Sequence, residues 1–382
     1  AWLQQWVPKA VSTLRHSPRD TKMLSKQHVV SSLAIVFVAS LVSGSRSAQA
    51  PPAQAVVPSD GRDMIWPEPL QPGDMIMFVA PAGDLNVERI LQAKDGLEAR
   101  GYRVKIRKDL FSKEGYLAGS DKRRAKELMQ AFLDPKVKAV FPGRGGYGTM
   151  RILDQLDYEK IRAHPKILVG FSDITGLHLA LNRRAGLVTF HSPTSFWRLD
   201  SETEGMKPFT QEYLLRATTG QGAGAANGYT IEVPEDAPQP IPLGRGKARG
   251  RLAGGNLSMI SALEGTPFAI DTRDAILLLE DTREAPYRID RMLKQLHLAG
   301  KLQTLRGAIL GQFTRNYDRE EDQMTEDPRF TVDGVLRQYF EPLGIPVLMN
   351  YPVGHSAYNA TLPLGGQVEI DADEGTLRIL EH

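Results

Sequence analysis

Three regions of this sequence carry side chains whose types and spacing could do chemistry. In Gly170-Phe171-Ser172-Asp173-Ile174-Thr175 an apolar run feeds into a helical pattern through a serine. A hydroxyl on such a strand-to-helix turn projects from the end of a sheet, where the helix start offers unpaired N–H groups and the positive end of its dipole. That suits a nucleophile. It equally suits a plain helix cap, because serine before aspartate is a common cap. Ile174 stands where G-x-S-x-G has its second glycine, so this is not the usual α/β-hydrolase turn.

The second region, Gly143-Arg144-Gly145-Gly146-Tyr147-Gly148, satisfies G-x-G-x-x-G at Gly143, Gly145 and Gly148. Three readings stand side by side: a dinucleotide site, an oxyanion hole built from backbone N–H groups, and a tight turn without a ligand. Against the first, the motif follows a later strand of the pattern, and the next strand ends in Ser172-Asp173 instead of a lone ribose-binding acid. The third region is split. Glu280 and Asp281 end the apolar run Ile276 to Leu279, and His355 sits in the glycine-flanked loop Pro352-Val353-Gly354-His355. Acids commonly close strands in solvated turns, and a lone histidine is more often packed than catalytic. His178 and His191, both close to Ser172 in the pattern, are rival bases.

Composition bounds these possibilities. The 382 residues, 41% hydrophobic and 24% charged, suffice for about two domains. A net charge of +2, with 47 basic against 45 acidic residues and no basic block, argues against a nucleic-acid partner. The absence of cysteine removes disulfides, thiolate metal sites and cysteine nucleophiles. Met23 to Lys26 opens a segment whose Val29 to Val42 stretch is apolar or small and too short to cross a bilayer comfortably. Its end at Ser47-Ala48-Gln49-Ala50 reads as a secretory signal, implying a periplasmic or otherwise exported protein; an uncleaved anchor is the alternative. Without that signal the protein would stay in the cytoplasm.

The elements that must position these side chains follow in order. Residues 1–50 are an N-terminal extension and export signal, and 51–72 a proline-rich tether, with the folded body expected from Gly73. Over 73–200 the pattern predicts strands at Met75 to Ala80, Tyr102 to Ile106, Lys138 to Phe141, Lys166 to Gly170 and Leu187 to Phe190. Helices are expected at Asn86 to Arg100, Asp121 to Phe132, Tyr147 to Leu156 and Asp173 to Arg184. This alternation is that of a parallel α/β sheet with right-handed crossovers, Rossmann- or flavodoxin-like. Residues 201–249 read as a linker or elaborated loop. Residues 250–382 read as a smaller mixed α/β domain rich in strands, with a helix at Asn256 to Leu263, a strand at Ala275 to Leu279, a helix at Ile289 to Leu298, a strand at Gly307 to Leu310, and terminal strands around Val347 and Gln367 to Ile370.

From Gly73 to the C-terminus the chain resembles the LD-carboxypeptidase family, the serine peptidases that include muramoyl-tetrapeptide carboxypeptidases and microcin self-immunity proteins. The likeness rests on ordered motifs: Val79-Ala80-Pro81; Tyr116 to Asp121 with Arg124; Arg144 to Gly148; Gly170 to Thr175; Gly254-Gly255-Asn256-Leu257; Leu279-Glu280-Asp281; Tyr287 to Arg291; and Gly354-His355. The resemblance implies a nucleophile at Ser172, a general base at His355, and Glu280 orienting that imidazole. It implies an oxyanion hole from the N–H of Asp173 and the Gly145-Gly146 turn. Serine needs a base, and the base an anion to fix its tautomer, so the residue types agree. The substrate implied is a small peptide, the peptidoglycan tetrapeptide cut before its terminal D-alanine, with neither metal nor cofactor; a homodimer is implied as well. Arg144 and Tyr147 are candidates for substrate binding, Arg144 for the free carboxylate.

Two features depart from the family. Its familiar carboxypeptidases act in the cytoplasm, whereas Met23 to Ala50 points outward, and His191-Ser192-Pro193 replaces His-Gly-Pro, so that Ser192 is expected to reshape the nearby substrate wall. Alternative functions are an amide hydrolase detoxifying a microcin-like peptide-nucleotide, a non-catalytic exported wall-fragment binding protein, and a nucleotide-dependent oxidoreductase.

Overall fold

A short run such as Met75 to Val79, apolar without alternation, suits a strand covered on both faces, and four of its five side chains are buried. The computed structural model describes residues 63–194, 206–219, 228–315 and 327–380; the export segment and the first part of the tether lie outside them. The first half runs β1 (Met75–Val79), α1 (Val87–Glu98), β2 (Arg103–Lys105), α2 (Asp121–Leu133), β3 (Val137–Pro142), α3 (Tyr158–Ala163), β4 (Ile167–Gly170), α4 (Thr175–Ala180) and β5 (Thr189–His191). Their spatial order is β2-β1-β3-β4-β5, all parallel. This is the flavodoxin-like order, which reverses direction beside β1 and opens a crevice at the carboxyl ends of the strands. The glycine loop after β3 and Ser172 after β4 both emerge on that side.

Then come α5 (Pro208–Thr218), β6 (Tyr229–Thr230), β7 (Ile241–Leu243), β8 (Lys247–Asn256), α6 (Leu257–Leu263), β9 (Ala275–Thr282), α7 (Pro286–Leu298), β10 (Gly307–Thr314), α8 (Val332–Phe340), β11 (Val347–Met349), β12 (Leu362–Leu364), β13 (Gln367–Asp371) and β14 (Thr376–Ile379). Eight of these strands form a mixed sheet in the order β6-β14-β13-β8-β9-β10-β11-β7, parallel from β8 to β11 and antiparallel towards both edges. β12 instead pairs antiparallel with β5, Leu362 opposite His191. One hydrophobic cluster runs through both halves, from Val79, Leu168 and Leu177 to Leu257, Leu279 and Leu310.

Four expectations are corrected. The folded body starts before Gly73: Ile65 exchanges backbone hydrogen bonds with Gly186 and Val188 at 2.7 and 2.9 Å, and Trp66 packs edge-on to Phe190. Prolines keep this segment extended, and the apolar residues between them can still pair and pack. The Tyr147 to Leu156 helix is a 3-10 turn, Thr149–Gln155, and Asp157 starts a separate α3 by accepting the Lys160 N–H at 3.1 Å. The Asp173 to Arg184 helix is broken into a 3-10 turn at Ser172–Ile174, α4, and a π turn at Leu181–Ala185. Last, residues 206–219 and 228–249 are not merely linker. They hold α5, which buries Phe209, Tyr213 and Leu214, then β6, β7 and the start of the ten-residue β8.

Candidate active site

The turn from β4 into α4 forces Ser172 into the left-handed region at φ +64°. A β-carbon makes that conformation unfavourable, and it persists where surrounding structure imposes it, typically at functional sites. The cap alternative is not realised. Phe171 occupies the cap position, no side chain caps this turn, and the Ser172 hydroxyl makes no hydrogen bond to the described residues.

Against this turn lies the glycine loop. A β-carbon on Gly145 would stand 3.1 Å from both the Asp173 nitrogen and the Ser172 Cβ, so only glycine leaves the space in front of those atoms open. Gly146 adopts φ +99°. Gly143 packs on Ile90 and Leu85 instead of facing a crevice. Position therefore favours the oxyanion reading over a dinucleotide site, whose loop follows the first strand of such a sheet. Asp173 is buried, which raises its carboxyl pKa, and its Oδ2 accepts the Thr149 N–H at 2.9 Å.

Glu280 ends the buried run of β9, and its side chain is fully enclosed. It lies 2.6 Å through Oε2 from Nδ1 of His355, 75 residues further along the chain. Burial pushes its carboxyl up, but the hydrogen bond and charge of His355, with smaller contributions from His191 and Asn256, outweigh this and hold it below the ordinary value. Gly354 adopts φ +113°, and a β-carbon there would stand 2.8 Å from Glu280 Cβ, so the loop can approach the carboxylate only through glycine. The His355 ring packs on Phe171 with centroids 4.8 Å apart, which brings it beside the residue preceding Ser172. Hydroxyl and imidazole are not hydrogen-bonded in this conformation. Such bonds often tighten only when substrate binds.

The rival histidines fall away. Both nitrogens of His178 are engaged, with Gly170 O and Thr189 Oγ1 at 2.8 Å each, and burial lowers its pKa to about 3. His191 is fully buried, with its pKa lowered to about 4 by burial, the charge of Glu280 acting against the shift and that of His355 with it. Ser192 is buried too, its hydroxyl accepting from Thr361 Oγ1 at 2.7 Å, so it ties the β5 end to the β12 segment instead of standing on an exposed surface.

Arg144 is 58% exposed and lies over Asp84, 3.1 Å from its carbonyl and 3.6 Å from its carboxylate. Tyr147 stands exposed and edge-on to Tyr116, ring centroids 5.7 Å apart. Sequence reasoning missed two supports. Asn256, at the end of β8, donates to Glu280 Oε1 at 3.3 Å and Asp281 Oδ1 at 3.1 Å while its Oδ1 caps α6. Asn359 brackets Gly354, accepting its N–H at 3.2 Å and donating to its carbonyl at 2.7 Å. The asparagine before an apolar helix signalled the first as a cap; nothing signalled the second. Asp281 binds the Ser258 N–H and hydroxyl, and burial, then the neighbouring Glu280 charge, raises it to about 6. Among the described residues no cluster of His, Asp and Glu side chains is arranged to ligate a metal ion, and no helix is long and apolar enough to cross a membrane.

Comparison with known proteins gives the family. Residues 76–192 match the LD-carboxypeptidase N-terminal domain, and residues 249–370 the C-terminal domain. A probable murein peptide carboxypeptidase of Bacillus subtilis (strain 168) is 36% identical over 313 residues, covering 81% of this chain and 92% of that protein. The structure of a muramoyltetrapeptide carboxypeptidase from Oxalobacter formigenes superposes with a TM-score of 0.67 at 30% identity, covering 81% of this chain and 99% of that one. The microcin C7 self-immunity protein MccF, in complex with aspartyl sulfamoyl adenosine, does so at 0.73 and 25% identity, covering 83% and 99%. By sequence over most of its length and by fold, the chain belongs to the LD-carboxypeptidase family of peptidases.

Proposed function

We propose that this protein is a serine-type LD-carboxypeptidase that releases the terminal D-alanine of a peptidoglycan tetrapeptide through an acyl-enzyme at Ser172. The observation that carries the reading is the buried Glu280 carboxylate on His355 Nδ1 at 2.6 Å, with the imidazole packed against the residue before Ser172. The hydrogen bond to Nδ1 leaves Nε2 free to act as base. Ser172 Oγ attacks the carbonyl carbon of the penultimate residue and gives its proton to His355. The negative oxygen of the tetrahedral intermediate is received by the N–H groups of Asp173 and the Gly145-Gly146 turn. As the C–N bond breaks, His355 passes the proton to the departing amine of D-alanine. Water, deprotonated by His355, then attacks the ester, and the proton returns to Ser172 as the tripeptide leaves.

In this reading Arg144 exchanges its Asp84 contact for the substrate's free carboxylate, and Tyr147 lines the approach. The enzyme works outside the cytoplasmic membrane and as a homodimer. The deciding experiment is digestion of a muropeptide tetrapeptide, read by mass spectrometry, beside Ser172→Ala and His355→Ala. Release of D-alanine by the wild type and by neither variant supports the reading; no release at high enzyme concentration sinks it. A second reading, hydrolysis of a microcin-like peptide-nucleotide, is favoured by the likeness to MccF. Release of the amino acid from an aminoacyl sulfamoyl nucleotide, with the tetrapeptide left intact, would select it. A non-catalytic wall-fragment binding protein fits poorly with membership in a peptidase family.

A further inference from the structure

Arg124, on α2, is fully buried, and a guanidinium there is costly to desolvate unless its donors are well used. Its Nη1 donates to the carbonyl of Pro81, just past β1, and to the carbonyl of Gly148, which ends the glycine loop, at 2.8 Å for the latter. Its Nε donates to Gly119 O at 3.3 Å, and Nη2 pairs with Asp121. Asp121 is in turn bound by Arg151 at 2.8 Å, which fixes the orientation of the fork. Gly148 fits so closely that a β-carbon would stand 2.8 Å from Arg124 Nη1.

The Gly148 carbonyl and the Thr149 N–H belong to one peptide plane. Arg124 grips the first, and Asp173 Oδ2 accepts the second at 2.9 Å. Thr149 Oγ1 then donates to the Asp173 carbonyl at 2.6 Å. The same peptide is therefore held from one side by a buried cation and from the other by the residue whose own N–H borders Ser172. At the other end of the loop, the Gly145 carbonyl accepts the Gly83 N–H at 3.2 Å, which ties it to the segment that Arg124 holds through Pro81.

We propose that Arg124, its fork fixed by Asp121, is a positioning residue that sets the spacing between the Gly145-Gly146 amides and the Asp173 amide. This rests on the acyl-enzyme reading above, in which those amides receive the oxyanion. Lysine in its place keeps the charge but lacks the Nε and Nη2 through which Gly119 and Asp121 fix the nitrogen that holds both carbonyls. Donors misplaced for the transition state cost kcat and leave substrate binding in place.

The test compares wild type, Arg124→Lys and Asp121→Asn for kcat and KM on the tetrapeptide, for the rate of Ser172 labelling by a fluorophosphonate, and for Tm. In folded Arg124→Lys, kcat is expected to fall about 100-fold with KM within about twofold, and labelling to slow in parallel. Asp121→Asn is expected to lose about tenfold in kcat at constant KM. A folded Arg124→Lys with kcat within about threefold of wild type, or with its loss confined to KM, overturns the proposal. Should Arg124→Lys fail to fold, Asp121→Asn decides: unchanged kcat overturns the proposal, and a loss at constant KM supports it. Wild-type protein that neither takes the label at Ser172 nor releases D-alanine removes the acyl-enzyme reading and this proposal with it. Label and turnover without the Arg124 and Asp121 effects remove this proposal alone.

Discussion

Ser172 pays a conformational penalty that its neighbours impose. A left-handed backbone at φ +64° costs an L-residue with a β-carbon about 1–2 kcal/mol, and glycine avoids it. Ser172→Gly is therefore expected to be inactive yet more stable than wild type by about 1 kcal/mol in denaturant unfolding, a pairing that a serine serving only as a cap would not produce. Ser172→Ala should lose turnover with little change in Tm. At the base, Glu280→Gln keeps the shape but removes the anion on His355 Nδ1, and an about 10⁴-fold loss of kcat is expected from analogous buried acids. The same variant gives a stability signature. Because Glu280 is held below its ordinary 4.5 in the fold, it adds stability above that value and loses it as the pH falls through the folded value. Wild type should thus exceed Glu280→Gln in Tm near neutrality, the margin shrinking below pH 4.5.

The elements hold these groups through loops with no room to spare. Gly354→Ala would bring a β-carbon to 2.8 Å from Glu280 Cβ in a backbone conformation of φ +113°. Loss of about 1–3 kcal/mol is expected, with kcat falling further than Tm suggests because the imidazole is displaced. Circular dichroism melts beside turnover measurements check this. Which elements were legible in the sequence follows from how each is stabilised. β1 and β4 are continuous apolar runs between turn residues, β3 is one but for Lys138, and α2 opens on a Ser120 cap, so their patterns stand out. β8 was hidden because its first half is charged, with Lys247, Arg249 and Arg251, and its interior holds three glycines that answer to close neighbours; a β-carbon on Gly250 would meet Asp274 O at 2.7 Å. α3 fell outside every expected element because Asp157 starts a new helix where hydrophobicity alone sees none. Ser172 announced itself locally. The pairing of Glu280 with His355 had no local sign, since it arises from parallel neighbours in the second sheet and a bridge between Gln312 and Gly354; only the family likeness joined them.

At the scale of the whole molecule, the extended stretch before β1 acts as a strap. Ile65 and Leu70 bond to the chain before β5 and to the end of α5, and Trp66 covers Gly366 closely enough to exclude a β-carbon there. A chain beginning at residue 63 should melt near the full-length value. One beginning at 73 should be less stable by about 3 kcal/mol or more, from the apolar surface uncovered, as differential scanning calorimetry would show. Another long-range tie concerns time. Proteins leave the ribosome from the N-terminus, at about 5–20 residues per second, so β5 waits roughly ten seconds or more for β12 to emerge and cover its free edge. On the proposed mechanism, the nascent chain through that interval holds Ser172 without the His355 that would activate it, so hydrolytic competence is expected to arrive only with the closing strands of synthesis, and a stalled or clipped product to be inert.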